Sequence, residues 1–235
     1  MMKAILASTS TLHGQGYLEY LIPHLNELYG NDKEILFIPY ARPGGISHDE
    51  YTQNAKEAFK KTNLSVRGIH EFKNAAEAIE KAEGIFTGGG NTFLLVSELY
   101  RNGIIDLLKQ AIKNGTPYMG TSAGTNIGGL TMGTTNDMPI VLPKSFKTLG
   151  LVPFNINPHY LDPDVNSTHK GETRETRIKE FHHFNSQPVV GLREGSWLEL
   201  DKNEVFLRGK LSARIFKCSE DPYEVETGTK LTNLN

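Results

Sequence analysis

Residues 120–124, Gly-Thr-Ser-Ala-Gly, place Ser122 at the centre of a Gly-x-Ser-x-Gly turn and so dictate what stands on either side of it. The segment Thr116 to Met119 enters from Gly115 and reads as a short buried strand, and the chain leaving through Asn126 and Ile127 can start a helix. A serine on so tight a strand-to-helix turn is pushed out of the sheet, and flanking glycines let backbone and helix pass close by. The helix N-terminus also aims N–H groups at any oxygen that gathers charge beside the hydroxyl. With 23 glycines in the chain the pentapeptide is a modest signal alone, and its weight comes from its neighbours.

Upstream of Ser122, short apolar runs alternate with amphipathic segments of helical length. Strands are predicted at Ala4–Ala7, Ile35–Ile38, Leu64–Ile69 and Gly84–Thr87, with helices at Tyr17–Leu28, Asp49–Lys61, Asn74–Lys81, Phe93–Tyr100 and Ile104–Lys113. Ile35-Leu36-Phe37-Ile38 is uninterruptedly hydrophobic, as a strand covered on both faces must be. This alternation predicts a mostly parallel sheet with helices on both sides. Beyond Thr131 the texture changes to strands at Pro139–Leu142, Asn155–Tyr160, Pro188–Leu192, Trp197–Leu200, Val205–Leu207 and Ala213–Lys217, with one helix over Thr173–Asn185. The close spacing of the last strands predicts antiparallel hairpins at the far end of the sheet. With no repeat, low-complexity tract or linker, residues 1–235 read as a single α/β domain.

Composition removes several classes of function. A net charge of −2 without blocks of like charge gives no reason to expect nucleic acid as a partner. No segment approaches the length that crosses a bilayer, and Ala4–Ala7 is too short for the apolar part of a signal peptide. The lone Cys218 has no internal disulfide partner, which fits a reducing compartment, so the expected location is cytoplasmic.

In open α/β sheets ligands sit beyond the C-terminal ends of the strands, and four features fall at such ends. Ser122 is the first. The second is Thr87-Gly88-Gly89-Gly90-Asn91, where Asn91 can cap the following helix. No Lys-Ser/Thr follows the glycines, which argues against a nucleoside-triphosphate loop. In a serine hydrolase such a loop supplies one oxyanion N–H and Ala123 the other. The third is Asn157-Pro158-His159-Tyr160, which offers His159 as the base that a nucleophilic serine needs. Among the other histidines, His13, His24, His48 and His70 lie in early loops or on helix surfaces, and His169 lies in a polar loop. His182 and His183 are adjacent on one helix and point to different faces, so no shared metal site is expected. The fourth feature is an acid to orient the histidine, for which Asp137 and Glu194 compete. Glu194, just past the apolar strand Val189–Leu192, suits the role better, while Asp137 can serve as a turn residue or hold the site from behind.

Together, Met119-Gly120-Thr121-Ser122-Ala123-Gly124, Gly88-Gly89-Gly90-Asn91-Thr92, Asn136-Asp137-Met138-Pro139 and Asn157-Pro158-His159-Tyr160 resemble the peptidase E family of serine α-aspartyl dipeptidases, related to cyanophycinase. The likeness runs nearly end to end, with the four motifs in the family's order. It implies a three-layer α/β sandwich like that of class I glutamine amidotransferases, with serine where those use cysteine. It also implies Ser122 as nucleophile, His159 as general base, oxyanion N–H groups at Gly90 and Ala123, and either Asp137 or Glu194 as the third catalytic residue. The implied reaction is metal- and cofactor-free hydrolysis of small Asp-Xaa peptides through an acyl-enzyme, by a monomer or small homo-oligomer.

Recognition of an aspartyl side chain calls for a guanidinium, and Gly171 to Arg177, rich in both signs, offers Arg174 for that purpose. A solvated helix face accounts for the same charges. The polar stretch Pro163–Gly171 is long enough to move over a bound substrate. Three rival readings share the residues. A cyanophycinase-like hydrolase would cut longer or β-linked aspartyl peptides, an α/β-hydrolase esterase would use the order Ser122, Asp137, His159, and a binding protein on this fold would leave the serine inert.

Overall fold

The computed structural model describes residues 1–163, 171–202, 204–232 and 234. His169 and most of the stretch 163–171 therefore lie outside the described residues. The strand Lys3–Ala7 (β1) shows how the sheet is built: Ala4 and Leu6 enter one core while Ile5 and Ala7 enter another on the opposite face. In chain order there follow Ile22–Tyr29 (α1), Glu34–Ile38 (β2), His48–Phe59 (α2), Ser65–Gly68 (β3), Ala75–Glu80 (α3), Ile85–Thr87 (β4), Thr92–Arg101 (α4), Ile105–Lys113 (α5), Tyr118–Thr121 (β5) and the short Ala123–Asn126 (α6). The second half holds Asn155–Pro158 (β6), Arg174–Phe181 (α7), Val189–Leu192 (β7), Ser196–Asp201 (β8), Glu204–Gly209 (β9), Ala213–Phe216 (β10) and Tyr223–Val225 (β11).

Seven strands form the central sheet in the order β3-β2-β4-β5-β1-β8-β9. The five from the first half run parallel, and β8 and β9 close one edge as an antiparallel hairpin. Helices α1 and α2 cover one face through Leu25, Leu28, Tyr51, Ala55 and Phe59. Helices α3, α4 and α5 cover the other through Ala78, Ile79, Leu95, Leu99, Leu108 and Ile112. Ser47 caps α2 with a full capping box, and Asn74, Asn91 and Thr173 cap α3, α4 and α7. The sandwich expected from the sequence is thus present, with both faces of the parallel strands dry.

Three expectations change. The late strands do not all join the central sheet: β6, β7, β10 and β11 form a second sheet in the order β11-β10-β7-β6. Its Ile156, Val190, Leu192 and Ile215 share the core of α4 and α5, while Ile178 and Phe181 of α7 pack its other side against Tyr160, Val189 and Phe216. Strand spacing carries no information on which sheet a strand joins. The strand expected at Pro139–Leu142 is absent; the segment bends, with Leu142 89% exposed, because prolines at 139 and 143 lack the N–H a ladder requires. The first helix begins only at Ile22, since Pro23 belongs in a first turn and Leu18 stands at φ 59°.

Candidate active site

Ser122 follows β5 with φ 53° and ψ −110°, a conformation that costs a non-glycine residue about 1–3 kcal/mol and persists only where the surroundings enforce it. Here they do. The Ser122 N–H donates to Ala7 O at 3.1 Å, and its carbonyl accepts from the N–H groups of Thr125 and Asn126. A Cβ on Gly120 would lie 2.3 Å from Gly124 O, and one on Gly124 would lie 2.2 Å from Thr87 O. Helix α6 therefore sits directly on β5 and β4, and the serine is carried on a turn too tight for side chains at either flank.

The glycine loop after β4 leans on this turn. A Cβ on Gly89 would approach Ser122 Cβ to 2.9 Å, and Gly90, at φ 144°, passes so close to Ala41 that a Cβ would lie 2.2 Å from its carbonyl oxygen. The N–H of Ala123 opens α6 and that of Gly90 precedes the cap of α4, and neither finds an acceptor among the described residues.

His159 emerges from β6 at φ 54°, another left-handed non-glycine. Its backbone N–H donates to Ser8 Oγ at 2.8 Å, and the buried Ser8 hydroxyl donates in turn to Leu192 O at 2.7 Å. The imidazole lies between two partners: Nε2 is 2.9 Å from Ser122 Oγ and Nδ1 is 2.6 Å from Glu194 Oε1. An ionised carboxylate only accepts, so Nδ1 carries the ring proton and Nε2 is free to accept the serine hydroxyl. Glu194 reaches the ring because β6 and β7 run parallel with Pro158 opposite Leu192, so residues just past both strand ends meet.

Asp137 is engaged elsewhere. Its Oδ2 accepts from Thr92 N–H at 2.7 Å and from Thr135 Oγ1 at 3.0 Å, which fixes the carboxylate at the positive end of α4. Asn91 Nδ2 donates to Met138 O from the same helix end. Asn136 ties this segment to the histidine strand by donating to Pro158 O, and Asn157 donates to Asn136 Oδ1 and Thr134 O.

A cavity of about 260 Å³ opens over the serine, lined by Thr92, Ser122, Asp137, His159 and Arg174 among others. Arg174 is the first residue of α7, partly buried, with no ion pair among the described residues. Burial lowers its pKa, nearby Arg177 lowers it further, and Asp137 opposes both. A cavity guanidinium with no ion pair among the described residues is a site for an anion. Among the described residues no three His, Cys, Asp or Glu side chains converge to hold a metal ion, and no helix is long and apolar enough to cross a membrane.

The six residues singled out from the sequence with Ser122 thus lie on the elements around it, with Glu194 rather than Asp137 on the imidazole. Sequence reasoning missed Ser8, the Asn136–Asn157 bracing and Tyr51, whose hydroxyl donates to Gly89 O at 3.1 Å. A polar residue directly ending the first apolar strand was the one available signal for Ser8.

Comparison with known proteins adds to this geometry. A family model described as Peptidase family S51 matches residues 4–208. A Streptomyces coelicolor protein named Peptidase E is 47% identical over 233 residues, covering 99% of this chain and 95% of its own. A Drosophila melanogaster protein named probable alpha-aspartyl dipeptidase is 42% identical, covering 98% of this chain and 96% of its own. The crystal structure of a peptidase from an acI-B1 Actinobacterium superposes with a TM-score of 0.67 at 17% identity, covering 98% of this chain and 96% of its own, and so shares the fold.

Proposed function

The chain belongs to peptidase family S51, and from that premise we propose that it is a serine dipeptidase hydrolysing Asp-Xaa dipeptides, the activity carried in the name of its Drosophila relative. The observation that carries the reading is the continuous hydrogen-bond chain from Ser122 through His159 to Glu194, opening into a cavity that also holds Arg174.

In the proposed reaction Ser122 Oγ attacks the aspartyl carbonyl while His159 Nε2 takes its proton. Glu194 keeps the ring in the tautomer that leaves Nε2 unprotonated and stabilises the imidazolium as it forms. The oxyanion is received by the N–H groups of Ala123 and Gly90, which are fixed in place before the charge appears. His159 gives its proton to the leaving amine, then activates a water that releases aspartate from the serine. Arg174 meets the aspartyl side chain. Asp137 holds the end of α4 and faces Arg174 without entering the proton relay. The domain is proposed to work as one unit over 1–235.

The test is hydrolysis of Asp-Leu, Glu-Leu, Ala-Leu and N-acetyl-Asp-Leu by the native protein and by Ser122→Ala, with chelator present. Cleavage of Asp-Leu alone, abolished by the substitution, is the expected outcome. Cleavage of the acetylated or of longer β-linked aspartyl peptides moves the assignment to a broader, cyanophycinase-like hydrolase. Cleavage of none overturns it.

A further inference from the structure

A second groove, of about 430 Å³, lies on the α1–α2 face of the sheet. Its wall includes Ser10 and Thr11, which continue the strand whose Ala7 carbonyl accepts the Ser122 N–H. Tyr17, Arg42 and Tyr51 complete its near end. Tyr51 links groove and nucleophile: its hydroxyl binds Gly89 O, and a Cβ on Gly89 would lie 3.5 Å from Ser122 Oγ. The Arg174 cavity is lined by Thr92 of α4, and this groove by Tyr51 of α2, which holds the glycine loop from its own side.

The groove's guanidinium is uncommitted among the described residues. The Arg42 guanidinium lies over the Tyr51 ring, 4.9 Å from its centre, a contact that orients the group without neutralising it. Arg42 is exposed and has no carboxylate partner among the described residues. Beside it the Tyr17 and Tyr51 rings lie 6.3 Å apart. The groove's own carboxylate, Glu57, is committed to Lys60 and Gln53 at the far end. An exposed guanidinium beside an aromatic floor makes a receptor for a carboxylate attached to an apolar side chain.

An Asp-Xaa dipeptide presents that group in this direction. Its acyl residue occupies one side of the nucleophile, so its leaving residue crosses to the other. Its terminal carboxylate then lies one residue, about 3.8 Å of backbone, beyond the reacting centre. We propose that the Arg42–Tyr17–Tyr51 groove is the leaving-group subsite, in which Arg42 reads the C-terminal carboxylate of the dipeptide. The assignment rests on the dipeptidase reading and adds to it a reason for preferring dipeptides to internal aspartyl bonds.

The experiment compares kcat/KM for Asp-Leu and for its C-terminal amide, with native protein, Arg42→Ala and Arg42→Lys. The native protein is expected to favour the free acid. Arg42→Ala is expected to lose about tenfold on Asp-Leu, mostly in KM, the scale of one charge-assisted contact, with amide hydrolysis unchanged and Arg42→Lys between the two. Unchanged amide hydrolysis also certifies that the variant is folded. Equal cleavage of acid and amide by the native protein overturns the subsite, as does an Arg42→Ala loss that is the same on both substrates or absent from both. Cleavage of neither substrate by the native protein overturns the dipeptidase reading and the subsite with it.

Discussion

Glu194 Oε1 lies 2.6 Å from His159 Nδ1, on the edge of the ring opposite the Ser122 hydroxyl. Both residues follow the ends of adjacent parallel strands in the second sheet, whereas Ser122 belongs to the first. The relay is therefore assembled across two sheets, and its alignment depends on how they dock. Glu194→Gln keeps the size of the side chain but can donate to Nδ1, turning the ring to the tautomer that cannot accept from serine. A loss of about 10²–10⁴-fold in kcat on Asp-Leu, with little change in melting temperature, is expected for this half-exposed residue. Retention of kcat within a few-fold would remove Glu194 from the relay.

Asp137 separates by a different signature. Its carboxylate satisfies the otherwise orphan Thr92 N–H and binds Thr135, so Asp137→Ala leaves a helix-end donor unpaired and frees the 135–138 turn. The expected cost is about 1–3 kcal/mol of unfolding free energy, visible in urea denaturation. Asp137→Asn keeps an acceptor oxygen and should recover most of that stability, with kcat on Asp-Leu reduced far less than by Glu194→Gln. A collapse of kcat in a fully stable Asp137→Asn protein would show that the carboxylate's charge takes part in the chemistry.

Much of this arrangement is legible in the sequence, for physical reasons that differ between the halves. Ile35–Ile38 announces itself because a parallel strand covered on both faces must be continuously apolar, whereas the strand expected at Thr116–Met119 lies at Tyr118–Thr121, past Pro117. Ser122 is legible because only a glycine-flanked turn can carry α6 at backbone contact with β5 and β4. The second sheet is not legible: Val189–Leu192 and Ala213–Phe216 read correctly as strands, but their partners depend on docking geometry that no local pattern encodes. The choice between Asp137 and Glu194 is legible in part: the sequence favours Glu194, past the Val189–Leu192 strand, without excluding Asp137, and Glu194 is the carboxylate on the imidazole. The Pro158–Leu192 register is what brings Glu194, just past β7, to the imidazole. Ser8 and Arg42 stayed unnoticed because a lone serine after a strand and a lone arginine in a loop are unremarkable until the fold brings them beside the site.

Arg174 offers a test of substrate reading that is independent of the relay. Its guanidinium shares the cavity with Ser122 and has no ion pair among the described residues, so its removal leaves no buried carboxylate stranded. Arg174→Ala is expected to lower kcat/KM for Asp-Leu by about 10²-fold or more, the scale of a lost charge-assisted pair, while hydrolysis of Ala-Leu stays at its low native level. The ratio of the two specificity constants is the quantity to measure. An unchanged preference for Asp-Leu over Ala-Leu would show that another group reads the aspartyl side chain.

Next to Glu194 lies an ion network with a pH signature of its own. The Arg193 guanidinium grips Glu224 with two hydrogen bonds of 2.8 and 3.0 Å, and Ser212 and Arg214 add two more. The Arg193 hydrogen bond is the largest cause that lowers the Glu224 carboxyl from its ordinary 4.5 to about 2. Between those values the unfolded chain binds a proton that the folded protein refuses, so this contribution is complete above about pH 4.5 and is lost as the pH falls toward about 2. The Glu224 side chain is 37% exposed, and solvent screening trims the effect below what the shift alone implies. Glu224→Gln removes the titration. The native protein should therefore lose more unfolding free energy than the variant between about pH 6 and about pH 3, with the difference read from urea melts at each pH. Parallel pH profiles for the two proteins would show that the network carries no proton-linked stability.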